Sequence, residues 1–517
     1  MKKMTTFFAA LTVLCFTNAN AATYFSKGSL AANELTSWSS TTDGSGASPA
    51  DFITPSDVFM IQAGHEMTTS ADWIFGATSG NSKLQIADAG KLTGTTLITI
   101  AAGNTFQIDN GGTYINNIAN DMSKLFGGTE VFASNSNFIV ILCASAPTTV
   151  DGGYGNLTFR NTITANLGMN GRLLKVKGNL KFEMIATAKL ALVNSQTVTI
   201  DVDGDLIVNF GEGSASTGGV QLVNSSTGNC TLNVKGNVSI LNGSLNLNAG
   251  GASATNNVVV LSIGGDLTIN NTGSLTSPSI PAGQNTKLIF TGANSKLINN
   301  GSFSNGNFTT EVPQSASLTV PNKLTVSRAM TILGSLSLGD SILGSGLVDA
   351  TSGTLILKGV APQNIAKIKD GMIKNLMLDN AAGAGLGLPL AVTGSLNLVS
   401  GNLTLGDNDL TIKTSGSIVG SESSIVVSGL GRLIKESTSV KNQTINNLKI
   451  NIFEGRIGVQ GLSIGDKINI YSIDGKSRFS KEVSQSVLDI LIGTKGIYVI
   501  RVISSNGVSS FAKVLVD

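Results

Sequence analysis

Histidine occurs once in this 517-residue chain, at His65. A single imidazole excludes paired-histidine metal sites and makes any Ser/His/Asp triad depend on that one residue. Cysteine occurs three times, at Cys15, Cys143 and Cys230, with no zinc-type spacing and no dense disulfide framework. Only 2 tryptophans and 5 tyrosines are present, so an aromatic platform for sugars would have to rest on Trp38 or Trp73. Charged residues make up 13% and hydrophobic residues 41%, with 9 prolines, which separates the chain from charge-rich disordered sequences. There is no later apolar run of about 18 residues, so no transmembrane helix is expected. There is no P-loop, and long helical periodicity is nearly absent; Asn364–Met377 is the nearest candidate helix. No cofactor is expected.

What is abundant is glycine, 61 residues, set among short alternating strands. The segment Leu232-Asn-Val-Lys-Gly-Asn-Val-Ser-Ile240 has relatives at Leu174–Phe182, Ile200–Val208 and Leu261–Ile269. Each reads as two period-two strands joined at a Gly-Asn or Gly-Asp corner. The corner glycines are Gly178, Gly204, Gly236 and Gly265. Their spacing falls inside the window of about 20 to 50 residues that marks a solenoid. The fold class expected is all-β: a parallel, right-handed β-helix with an N-terminal β-rich cap and a small C-terminal β-sandwich. A solenoid also accommodates a chain too long for one ordinary core, because each coil touches only its neighbours.

Stacking the four segments makes register predictions. Leu174, Ile200, Leu232 and Leu261 should point inward, followed by Val176, Val202, Val234 and Ile263. Lys175, Asp201, Asn233 and Ser262 should form one outward column, and Lys177, Asp203, Lys235 and Gly264 the next. Asp203 should then sit between Lys177 and Lys235. The corner glycines are expected to supply positive φ.

The chain is read in four parts. Residues 1–21 look like a secretory signal: Lys2 and Lys3, an apolar core over Phe7–Phe16, and a cleavage site at Ala19-Asn-Ala21. Cys15 is preceded by Leu14, too large for the usual lipoprotein pattern. Without Lys2 and Lys3 the 34 Lys and Arg fall to 32, equal to the 32 Asp and Glu, which argues against nucleic acid as a partner. Residues 22–120 are read as a cap with the first coils, coil-like by Leu84–Leu92; 121–438 as the solenoid; and 439–517 as the sandwich. A longer echo pairs Gly155–Asn161 with Lys374–Asn380, each leading into a nine-residue segment. Cys143 and Cys230 are read as buried thiols, with a disulfide between them as the alternative that their spacing does not support.

In the last part, strands are expected at Asn446–Phe453, Val459–Ser463, Asp466–Ser472, Ile497–Val502 and Phe511–Val516, with a hairpin at Asp474-Gly-Lys476. Three motifs follow in order: Gly465 to Lys476 with Tyr471, Asp474 and Gly475; Gly496 to Val502 with Tyr498 and Arg501; and Lys513 before a terminal apolar strand. Together they resemble the type A C-terminal sorting domain of type IX secretion, over this last part of the chain only; Ser472 stands where that family often has Asp. The resemblance implies export to the outer cell surface of a Gram-negative bacterium via the periplasm. It also implies recognition by an outer-membrane translocon and sorting machinery, and release or attachment to surface lipopolysaccharide.

Candidates for chemistry are few. Asp201-Val-Asp-Gly-Asp205 is the densest carboxylate group, and reads as a charge ladder in preference to a Ca²⁺ loop or a catalytic pair. His65 reads as a cap or turn residue, Asp407-Asn-Asp409 as a turn, and Ala381–Gly387 as a coil corner or loop. Asp340-Ser341-Ile342 matches a short O-glycosylation pattern. The function expected is a non-enzymatic secreted or surface β-helix protein, adhesin-like or structural, with a surface glycan as a candidate partner. The alternatives are a polysaccharide lyase or hydrolase, or a non-catalytic glycan binder. An enzyme would need three or more charged side chains from adjacent coils to converge in a groove.

Overall fold

The computed structural model describes residues 21–516, apart from 119–126, 143–148, 161–165, 185–187, 212–217, 251–256, 279–284, 437–441 and 446–447. Ala19 and Cys143 fall outside the described residues; Ala21 is exposed. Two compact units divide near Leu433 and Ile434. The first is a parallel β-helix. Among the described residues its only helical turns are 3-10, at Leu35–Ser37 and Glu422–Ser424, and no helix is long and apolar enough to cross a membrane.

Parallel pairing starts at once. Thr23–Ser26 lies on Val58–Ile61, which lies on Lys83–Ile86, Thr105–Ile108 and Thr129–Phe132 in turn. Among the described residues coils are present from Thr23, two rungs before Leu84, where alternation becomes evident in the sequence. What closes the end is small: the 3-10 turn and the two-residue strand Trp38–Ser39, antiparallel to Thr23–Ser26. Trp38 is fully buried, edge-on to Phe59 at 5.2 Å and 6.4 Å from Trp73, with Phe52 packed on both Phe59 and Trp73 and Phe75 on Phe59. Large aromatic rings bury much area per residue, so a few suffice to fill the core beside the first described rung.

The clearest coils match the expected register. Thr197–Val202, Asn229–Val234 and Val258–Ile263 stack so that Asp201 pairs with Asn233 and Asn233 with Ser262. Across the corner, Leu180, Leu206, Val238 and Leu267 stack in the same way. Both inward columns are buried from Ile200 onward, as is Val176. Leu174 is the exception, 44% exposed. The first strand of that coil is only Lys175–Val176, entered from a positive-φ turn at Asn170-Gly171, and Leu173 takes the inward place. Asn364–Met377 is strand, not helix: Gln363–Ile365 and Ile368–Asp379 continue the ladders, burying Ile373, Leu376 and Leu378. Ladder pairing on both sides outweighs local helical spacing there.

The corners hold a correction with a physical cause. None of Gly178, Gly204, Gly236 and Gly265 has positive φ. Their backbones stack instead. Gly204 N–H donates to Gly178 O at 3.0 Å, Gly236 to Gly204 at 3.1 Å, and Gly265 to Gly236 at 2.9 Å. A Cβ on Gly204 would lie 2.7 Å from Gly178 O and 2.5 Å from Asn179 Oδ1. The next residue adds a second ladder. Asn156 Oδ1 accepts Asn179 N–H, Asn179 accepts Asp205, Asp205 accepts Asn237, Asn237 accepts Asp266, and Asp266 accepts Lys296, all at 2.7–2.9 Å. The longer echo is also visible here: Asn375 Oδ1 accepts Ser395 N–H at 3.0 Å beside Gly394, as Asn156 accepts Asn179 N–H beside Gly178.

Coil length changes along the chain. The column through Asp201, Asn233 and Ser262 takes long steps, whereas the column through Glu311, Thr331 and Asp349 takes much shorter ones. Among the described residues, the third-face ladder of the longer coils, Lys189–Val193 on Gly219–Val223 and onward, ends at Ser302–Ser304.

The second unit has two four-stranded antiparallel sheets around one core. One contains Asn442–Ile445, Leu448–Phe453, Arg456–Gln460 and Val487–Leu491. The other is ordered Ser477–Glu482, Lys467–Ser472, Gly496–Ile503, Ser509–Val516.

The corner geometry sets a test. Gly204→Ala is expected to cost about 2 kcal/mol or more through overpacking. Gly152→Ala, with nothing within 4 Å of the added methyl and no positive φ, should change stability by less than about 0.5 kcal/mol. Denaturant unfolding, with hydrogen exchange at Leu206–Phe210, reads both; equal effects would remove the stacking explanation.

Candidate functional site

Each carboxylate at residues 201–205 reaches a residue of a neighbouring coil. Asp201 Oδ1 accepts Asn233 Nδ2 at 2.9 Å. Asp203 lies between Lys235 Nζ at 2.6 Å and Lys175 Nζ at 3.5 Å. Asp205 accepts the Asn237 N–H. The sequence register named Lys177 as one neighbour of Asp203; Lys175 takes that place, and Lys177 Nζ donates to the Phe132 carbonyl. Lys175 pairs with Asp201 in the ladder, and its long outward stem carries the ammonium along the strand to Asp203. Lys235 on its oxygen, with Lys175 nearby, holds the Asp203 carboxyl below its ordinary range. Both lysines are largely exposed, so solvent screens the trio and it adds little to stability.

Other acids follow the same pattern. Asp407 accepts Leu430 N–H, and Asp409 accepts Arg432 N–H and meets its guanidinium at 2.8 Å. Lys369 reaches Asp349 at 2.9 Å in the neighbouring coil, and Arg160 reaches Glu183 at 2.7 Å. Among the described residues no group of three His, Cys, Asp or Glu is placed to hold a metal ion.

His65 Nδ1 lies 2.7 Å from Ser26 Oγ. Ser26 is fully buried and its oxygen also accepts Gln62 N–H at 2.9 Å, so this pair ties a turn and presents no nucleophile to solvent. Trp38 and Trp73 are buried in the end plug and offer no exposed ring face. Cys230 is buried and its thiol is pushed up to about 12 by desolvation, which makes it unreactive. Ser341 Oγ accepts Asn364 N–H at 2.9 Å, and Ile342 is buried, so that tripeptide is built into a coil. Ala384–Leu386, inside the glycine-rich stretch, is a strand on Gln363–Ile365.

The C-terminal motif residues converge on one sheet. Tyr471 pairs with Val499 and Val499 with Lys513, while Asn469, Arg501 and Phe511 form the next row. Alternation puts Tyr471, Arg501 and Lys513 on its outer face. Arg501 lies over the Phe511 ring at 5.5 Å and donates to Ser509 Oγ at 3.1 Å. Tyr498 points inward, buried, its hydroxyl donating to Thr494 O at 2.9 Å. Gly465, Gly475 and Gly496 take φ of +92, +81 and +152 at strand ends and the hairpin. Asp474 is exposed and held at about 2, first by the Ser472 hydroxyl it accepts and then by the Lys476 N–H. Beside this sheet lies a polar cleft of 340 Å³. Asp466 in its wall is buried, its two oxygens accepting Ser463 N–H at 2.9 Å and Ser505 N–H at 3.2 Å.

Sequence reasoning did not single out Glu130. Its strand, Thr129–Phe132, ends a six-stranded sheet, and the carboxyl shares the inward parity of Phe132. Desolvation, and secondarily Asp151, raises it to about 7. A break in alternation, an acid two residues before an inward Phe, is the signal that could have found it. No family model, curated protein or solved structure matches the chain.

Between the ordinary 4.5 and about 7 the folded chain keeps a proton on Glu130 that the unfolded chain has lost. Stability therefore falls as pH rises through that window. Glu130→Gln is expected to gain on the order of 1–3 kcal/mol over the wild type at pH 8 relative to their difference at pH 4. Denaturation midpoints at the two pH values read this; a difference independent of pH would show that Glu130 is not desolvated.

Proposed function

We propose that this chain is a secreted or cell-surface β-helix protein, adhesin-like or structural, exported through its C-terminal module by type IX secretion. The observation that carries the non-catalytic part is how the charged side chains are used. Asp201, Asp203 and Asp205, the densest carboxylates, are each bound to a neighbouring coil by a side chain or backbone donor. Asp349, Asp407 and Asp409 are bound likewise. Acid–base catalysis on a sugar needs carboxylates free to exchange protons with substrate. Here they serve as mortar between coils. The neutral, hydroxyl- and amide-rich outer faces form an extended presenting surface, and a surface glycan is the partner class that such faces suit.

The export part rests on the resemblance, supported by a separate compact unit at residues 434–517 whose motif residues Tyr471, Arg501 and Lys513 share one sheet face. In this reading the outer-membrane translocon and sorting machinery take hold of that unit, and the solenoid is its cargo.

Expression of the full chain and of a chain lacking residues 434–517 in a type IX-secreting bacterium tests the address. Fractionation should find the full chain outside the cell or on its surface, and the shortened one in the periplasm. The purified full chain should leave a panel of polysaccharides uncleaved; cleavage of any would overturn the non-enzymatic reading.

A further inference from the structure

Asp57 opens the second rung, just before the strand Val58–Ile61, and is 3% exposed. Among the described residues no lysine or arginine pairs with it. The one hydrogen bond its carboxyl receives there comes from the Ala22 N–H, at 2.9 Å to Oδ1. Buried carboxylates are ordinarily matched by a cation, because one neutral donor does not repay the lost hydration. Burial, joined by the charge on Asp51, raises the Asp57 carboxyl above its ordinary range despite that N–H. Asp51 is already satisfied: its Oδ1 accepts the Ile53 and Thr54 N–H groups and the Thr54 hydroxyl. Tyr24, the other ionisable group beside them, is raised by burial first and then by Asp57 and Asp51. The surroundings of the Ala22 nitrogen are therefore short of one positive charge. Ala22 itself is held on both sides, since its carbonyl accepts the Val58 N–H at 2.8 Å.

We infer that cleavage of the Ala21–Ala22 bond supplies this charge: the new α-ammonium of Ala22 forms an ion pair with Asp57 that locks the first rung onto the second. The inference rests on the secretion reading above, with Ala19-Asn-Ala21 as the cleavage site. Hydrolysis by a signal peptidase breaks the bond between the Ala21 carbonyl carbon and the Ala22 nitrogen and adds one water. Ala21 leaves with the new carboxylate; Ala22 keeps the amine, which binds a proton at neutral pH. The nitrogen already lies 2.9 Å from Oδ1, so one ammonium N–H takes over the existing hydrogen bond without moving the strand. The bond becomes charge-assisted on both sides. Ala22 is half-buried, so the ammonium keeps part of its hydration and the pair escapes the full penalty of a sealed one. While residues 1–21 stay attached, the same nitrogen is an uncharged amide. The lock closes only on the processed chain.

The test uses residues 22–517 released with a native amine from a cleavable fusion, the uncleaved 517-residue chain, and Asp57→Asn in both. Asparagine keeps the shape and an acceptor oxygen but removes the charge. Acetylation of the Ala22 amine by a succinimidyl ester at pH 7 is followed by the mass of the N-terminal peptide. It should be at least about tenfold slower in the wild type than in Asp57→Asn, because the pair keeps the proton on the amine and only the free base reacts. Amide exchange over residues 57–61 reads docking through the Val58 N–H. It should be slower in the released wild type than in the uncleaved chain, and Asp57→Asn should erase that difference. Equal exchange over Lys83–Ile86 in all four proteins shows that the coils are intact; the comparison of cleaved with uncleaved wild type needs no variant. Equal acetylation rates, or equal exchange in cleaved and uncleaved wild type, overturn the inference. The chain recovered outside a type IX-secreting bacterium should begin at Ala22. Any other first residue there overturns the inference alone, whereas a chain kept inside the cell with residues 1–21 attached overturns the secretion reading.

Discussion

The solenoid depends on one close approach: backbone against backbone at the corner where each coil turns. Strands on either side repeat at about 4.8 Å, and the corner must repeat at the same spacing without a Cβ to intervene. Gly178, Gly204, Gly236 and Gly265 meet that demand by donating N–H to carbonyl straight down the column. The Asn or Asp that follows each glycine then accepts the N–H of the corresponding residue one coil on. Two chains of hydrogen bonds thus run along the edge of the rod. They satisfy backbone donors at a bend, where sheet pairing is interrupted and unsatisfied groups would be costly.

Much of this was legible beforehand because stacking makes sequence self-reporting. Four aligned segments were enough to place Asp201 over Lys175 and beneath Asn233, and Leu232 between Ile200 and Leu261. What could not be read were features set by a residue's neighbours in space. The corner glycines are needed for proximity, which leaves the same residue type in the sequence as a need for positive φ. Leu174 looks inward by alternation, yet the strand there is too short to carry the pattern back to it. Lys175 and Lys177 lie on the same face, and only the path of each long side chain decides which reaches Asp203. Glu130 gave no motif, since a single inward acid has meaning only beside the hydrophobic groups that desolvate it.

The C-terminal unit shows the converse. Its motif residues lie far apart along the chain, and no periodicity links them, but antiparallel pairing gathers Tyr471, Arg501 and Lys513 onto one face. Tyr498, although part of the same motif set, is turned into the core and tied to Thr494, so it supports the sheet from within. The candidate site therefore separates into groups that solvent can reach and groups that hold them in place, a division invisible in the linear pattern.

The change in coil length has a mechanical consequence. Coils near Asp201 spend far more chain on each rung than those near Thr331, while every rung advances by nearly the same distance. The narrower rungs enclose fewer core side chains for the same rise, and in a one-dimensional array each rung is held only by its neighbours. Tension along the axis would therefore open the slender section first, leaving the broad section wound. The rod carries its own tensile weak link, placed on the side away from the aromatic plug.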